Sequence, residues 1–146
     1  MSELVLPDWI EPFCIQESKF ARAYEYHQAQ QRAWLKKNIS QLHAWYARYP
    51  FEYQNKFSSF HSGLKFIENK KRFDWVLFVV EEDFLSPAQL LAAVLPALMC
   101  QVQEIFVARL DSNADWSYSQ LLALELAGLE NVFVFDKLLL NKFISV

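Results

Sequence analysis

The chain has 146 residues, 53% of them apolar, and 14 Lys and Arg against 17 Asp and Glu, a formal charge of −3. That length fits one domain able to bury about 70% of its unfolded surface, and a weakly negative chain without a basic block argues against nucleic acid as a partner. The apolar runs stop well short of the ~18 to 20 residues of a membrane span, and MSELVLPDWIEPF has no basic region ahead of an apolar core, so no membrane partner and a cytoplasmic location are expected.

Two further features of composition bear on chemistry. Aromatic residues make up 16% of the chain, which points to a bulky core or a sticky face. Gly63 and Gly128 are the only glycines, too few for loops that bring backbone amides against a phosphate. Cys14 and Cys100 are the only cysteines and read as reduced thiols rather than a bridge.

In chain order, residues 1–16 carry Pro7 and Pro12 among apolar residues and read as an extended arm packed on the domain. Residues 17–50 are helical in pattern. Leu35, Ile39, Leu42, Tyr46 and Tyr49 step by four and three, Phe20 and Tyr24 extend the face, and His27 and Gln31 interrupt it, so a division into two helices is open. Pro50 ends this region. From Phe51 to Arg72 the periodicity is poor. Leu64, Phe66 and Ile67 beside Gly63, followed by Asn69-Lys70-Lys71-Arg72, suggest a short strand feeding a hairpin or loop.

Residues 51–146 are expected to form the α/β unit. Trp75 to Val80 is continuously apolar, the pattern of a strand covered on both faces. Ser86-Pro87-Ala88-Gln89 combines an N-cap, proline at the first helical position and a capping-box glutamine, which predicts a helix to about Gln101, kinked or shortened by Pro96. Ile105 to Leu110 is the second strand, a helix starting at Trp116 or Ser117 ends at Gly128, Asn131 to Phe135 is the third strand, and Lys137 to Ile144 is a short closing helix. Strands alternating with helices imply an α/β fold: N-terminal helices, then a small parallel three-stranded βαβαβ sheet, the Rossmann-like half of a doubly wound fold. A sheet this small leaves an edge wanting cover.

In open parallel sheets ligands bind beyond the carboxyl ends of the strands. There the first turn reads Val80-Glu81-Glu82-Asp83-Phe84, with no glycine to admit a pyrophosphate and three carboxylates to repel one. The acidic turn therefore decides against standard dinucleotide binding, and no cofactor is expected. The residues placed to touch some other small ligand are Ser86, Asp111 and Asp136. Glu81, Glu82 and Asp83 have the oxygen donors a hard cation takes, although a solvated turn favouring the helix N-terminus is the plainer reading. His27, His43 and His61 are scattered without metal-ligand spacing, and Ser86, Ser117 and Ser119 belong to no nucleophile motif. Trp34, Trp45, Tyr46, Tyr49, Phe51 and Tyr53 read as helix-packing material, with an exposed partner-binding face as the alternative.

The segments PALMCQVQEIFVARL and LLALELAGLENVFVFD resemble the first nucleotide-fold half of histidinol dehydrogenases, within the wider aldehyde-dehydrogenase-like fold. The positions that carry the resemblance are Ser86, Pro96, Ala97, Val102, Glu104, Ile105, Leu126, Ala127, Gly128 and Val132. Glu81 and Glu82 stand where that family has a glycine pair, Asp136-Lys137-Leu138 replaces its glycine-rich turn, and its zinc and acid-base histidine motifs have no counterpart. The resemblance therefore implies the fold without the catalytic apparatus. The expectation is a non-catalytic protein acting by association with itself or another protein. A nucleotide or small-ligand enzyme or sensor related to histidinol dehydrogenase is the alternative.

Overall fold

The computed structural model describes residues 6–46, 54–71, 73–110 and 115–145. Its frame is a mixed α/β fold in which helices precede a three-stranded parallel sheet. Helix α1 (Glu17–Tyr26) and helix α2 (Ala29–Tyr46) are separated at His27. The hairpin strands β1 (Gln54–Ser59) and β2 (Lys65–Lys70) follow. Strand β3 (Trp75–Val80), helix α3 (Pro87–Met99), strand β4 (Glu104–Leu110), helix α4 (Tyr118–Ala127), strand β5 (Val132–Phe135) and helix α5 (Lys137–Ile144) complete the chain.

The sheet order is β3-β4-β5, with β3 and β5 both parallel to the central β4. Crossovers of one hand between successive neighbours put both connecting helices on one face. Leu90 and Val94 of α3 and Leu121 and Leu124 of α4 accordingly pack with Val80, Ile105, Val107 and Val132. A second helical layer covers the first: α1 lies on α4, while α2 lies across α3 and α4 and seats Leu35 against Leu91, Leu95 and Leu122. The opposite face is aromatic. Phe106 and Phe133 from the sheet meet Phe143 of α5, with Ile10 of the N-terminal segment in the same cluster.

Local signals explain the boundaries. Ser86 accepts the Gln89 N–H at 3.3 Å, Ser117 the Gln120 N–H at 3.3 Å and Asp136 the Leu139 N–H at 2.7 Å, each capping the helix that follows. Gly128 ends α4 at φ 77°. Helix α3 runs through Pro96 but stops three residues later. Gln101 then takes the left-handed position at φ 55°, and the Val102 N–H closes the end on the Ala97 carbonyl at 3.1 Å.

Two expectations are corrected. The N-terminal segment is not wholly extended: Asp8–Phe13 forms a 3-10 turn, held by Ile10 N–H to Pro7 carbonyl at 3.0 Å and Cys14 N–H to Glu11 carbonyl at 3.1 Å. Its tight three-residue spacing accommodates Pro12, which lacks a donor. Strand β3 is not covered on both faces. It is the edge of the sheet, and Trp75 and Val79 on its aromatic face remain 40% and 41% exposed. A continuous apolar run identifies a strand but not whether neighbours exist to cover it.

Candidate functional site

Of the three residues first expected to touch a small ligand, two cap helices and the third is not among the described residues. Ser86 and Asp136 are N-caps, their oxygens already accepting helix amides. Asp111 lies outside the described residues. Glu81, Glu82 and Asp83 are exposed on the turn after β3, and no group of three His, Cys, Asp or Glu among the described residues could hold a metal ion. His27 is buried, and its Nδ1 donates to the Ala23 carbonyl at 2.8 Å, closing the end of α1. His43 and His61 are exposed and distant in the chain.

At the carboxyl end of β4 the protein fills its own space. Arg109, 3% exposed at the end of β4, donates through Nη2 to the Glu82 carbonyl at 2.8 Å and through Nη1 to Gln120 Oε1 at 3.3 Å. Gln120 Nε2 donates in turn to the Phe84 carbonyl at 2.8 Å, and the Trp116 indole N–H to the Phe133 carbonyl at 3.0 Å. This network ties the acidic turn to the start of α4. A strand order without reversal also lacks the switch point at which a crevice opens in doubly wound sheets. Sequence reading missed Arg109 because it sits inside an apolar strand. Its only signal is a lone charge in IFVARL.

Neither thiol is activated. Burial pushes the Cys14 thiol above its ordinary value, with Glu11 adding to the rise and a backbone hydrogen bond from Val132 opposing it. Burial alone raises Cys100. Both cysteines are free, and both are held as the protonated, weakly nucleophilic form.

The unusual surface is the hairpin. Strands β1 and β2 pair antiparallel, with Phe57 opposite Ile67 and Ser58 opposite Phe66, and pack chiefly on each other rather than on the other described elements. The turn closes through Gly63 N–H to Phe60 carbonyl and Phe60 N–H to Leu64 carbonyl, both 2.9 Å, with Gly63 at φ 81°, a conformation glycine adopts without strain. Phe57, Phe60, Leu64, Phe66 and Ile67 are all between 55% and 65% exposed. Burying one such side chain stabilises a contact by about 1.5 to 3 kcal/mol, and a two-stranded hairpin left alone in water is marginal at best.

No protein-family model matches the chain, and no curated protein matches it. Any functional reading therefore rests on geometry and charge.

Charge is divided in the same place. Residues 54–72 hold five Lys and Arg against Glu68, a net +4, which leaves −7 on the rest of a chain of −3. Lys56, Lys65 and Lys71 are exposed beside the hairpin's apolar residues. At the far end of β3 the signs reverse. There a groove of about 330 Å³ is lined by Phe78, Val80, Phe84 and Leu90 and rimmed by Glu81 and Asp83. A second groove, of about 390 Å³, lies between His27, Trp34, Leu35, Pro87 and Ser119. Trp34 and Trp45, expected as packing residues, are more than half exposed on α2, whereas Tyr49, Phe51 and Tyr53 lie outside the described residues. No described helix is long and apolar enough to cross a membrane.

Proposed function

We propose that the protein is a non-catalytic, cytoplasmic association module whose hairpin is its protein-binding surface. The observation that carries this reading is the set of five large apolar side chains on a hairpin that packs chiefly on itself, with basic residues gathered around them. Exposed apolar patches rimmed by charge mark interaction sites on soluble proteins. Two features weigh against the small-ligand alternative: the space beyond the end of β4 is taken up by Arg109 and Gln120, and the capping residues Ser86 and Asp136 are spent on their own helices. Kinship with the histidinol dehydrogenase half fold is proposed on the same footing. The order of strands and helices supports it, and it gives no residue a role.

The test is a photo-reactive benzoylphenylalanine placed at Phe66 in the full chain and irradiated in cells. A discrete protein adduct is expected from Phe66, and none from the same probe at Leu138, an exposed position on α5. The absence of an adduct at Phe66, or equal labelling at both positions, would contradict the reading.

A further inference from the structure

We infer that the partner is a second copy of this chain, joined by antiparallel pairing of two β3 strands about a two-fold axis through Leu77. The inference rests on the hairpin being an association surface and names what it meets.

The backbone of β3 supplies the first argument. The Glu104 N–H donates to the Asp74 carbonyl at 3.2 Å, and in a parallel ladder alternate residues turn both backbone groups to the same side. Asp74, Val76, Phe78 and Val80 therefore address β4, while Trp75, Leu77 and Val79 present their N–H and C=O groups outward. No described strand pairs with that edge. It carries neither proline, charge nor bulge, the devices by which edge strands avoid pairing.

Register is the second argument. With Leu77 opposite its own copy, all three outward residues fall in hydrogen-bonded positions, and Trp75 stands across from Val79 of the other copy, twice. Those are the two exposed side chains of β3, and they share one face of the sheet. An aromatic residue opposite a β-branched one is a favourable cross-strand pair.

Charge is the third. The same register places Lys71 opposite Asp83 and brings each hairpin, which enters β3 at its amino end, beside the acidic turn at the carboxyl end of the other copy's β3. The basic hairpin then meets Glu81, Glu82 and Asp83, and Phe66, on the hairpin face that also carries Lys56, meets the groove of Phe78, Val80, Phe84 and Leu90. A two-fold arrangement uses both hairpins and both grooves and closes on itself, where a head-to-tail contact would propagate into open chains. The product is a continuous sheet in the order β5-β4-β3-β3-β4-β5.

Sedimentation of the full chain at tens of micromolar tests this, with the Phe66 adduct as a companion. The expected mass is twice the monomer's 17.2 kDa. Val79→Pro removes an outward N–H without touching the β4 ladder and should give monomer with an unchanged circular dichroism spectrum. Should that variant fail to fold, charge exchange decides. Lys56→Glu with Lys71→Glu in one chain, and Glu81→Lys with Asp83→Lys in another, should each weaken self-association at least tenfold, and mixing the two should restore a dimer. Leu77→Cys, with Cys14 and Cys100 replaced by Ser, should cross-link to itself on oxidation. Monomer at every concentration overturns the inference, as does a dimer indifferent to both Val79→Pro and the charge exchange. A monomer that instead binds a labelled single-stranded oligonucleotide through the hairpin also overturns it. A Phe66 adduct to a different protein would remove the second copy and leave the association reading standing; no adduct at all would remove both.

Discussion

At the β5 edge of the sheet, the N-terminal segment lays Cys14 antiparallel to Phe133 and places the Ile15 N–H on the Val132 carbonyl at 2.7 Å. Val132, Phe133 and Phe135 are buried behind it. At the β3 edge, a strand of equally apolar sequence stays half exposed, and the hairpin that precedes it packs chiefly on itself instead of on the sheet. The segment at Cys14 and Ile15 thus does for one edge what nothing described does for the other. The difference teaches that cover at an edge comes from the segment laid across it and not from the strand's own apolar sequence. On our reading the segment that completes the open edge is the β3 of a second copy.

Substitutions in the closed and open halves should separate stability from association. Phe106→Ala, which opens the aromatic cluster with Phe133 and Phe143, should cost about 3 to 5 kcal/mol in denaturant unfolding. Phe66→Ser in the hairpin should change the stability of dilute protein by less than about 0.5 kcal/mol and abolish association.

Proline should act unequally at the two edges. Ile15→Pro removes the donor that covers Val132 and disturbs a buried side chain, and should cost about 2 to 3 kcal/mol. Val79→Pro removes a donor that has no described partner and should cost less than about 1 kcal/mol in dilute protein. Equal costs would mean that the β3 edge is covered within the monomer. Gln101→Gly serves as a control remote from both edges: relief of the left-handed conformation should raise stability by about 1 kcal/mol and leave the sedimentation pattern unchanged.

The smallest effect concerns Cys14 at the covered edge. Its thiol holds its proton more tightly folded than unfolded, so this contribution to stability is present below the ordinary thiol range and is lost as pH rises through the folded value. Iodoacetamide at mildly alkaline pH should alkylate it more slowly in native protein than in urea. A native rate equal to or above the unfolded one would contradict the burial argument.

Much of the frame was legible in the residues. Ser86-Pro87, Ser117 and Gly128 mark helix ends because capping is a local matter, and they stand where expected. Strand β1 escaped because Gln-Asn-Lys-Phe-Ser-Ser carries one apolar residue and no core face to give it a period. The exposure of β3 escaped for the opposite reason: Trp-Val-Leu-Phe-Val-Val is what a doubly covered strand looks like, and cover depends on distant segments. Of the candidate site, the acidic turn and the wanting edge could be read, the latter from strand count alone. The basic hairpin could have been found by totalling charge over residues 54–72 rather than over the whole chain.

Amide hydrogen exchange at Trp75, Leu77 and Val79, compared between dilute and concentrated protein, bears most directly on the central claim. We predict fast exchange when dilute, marked slowing when concentrated, and parallel protection of the hairpin amides, with β5 unaffected. Slow exchange at these three amides in the dilute monomer, or rates independent of concentration, would contradict an edge that is completed by association.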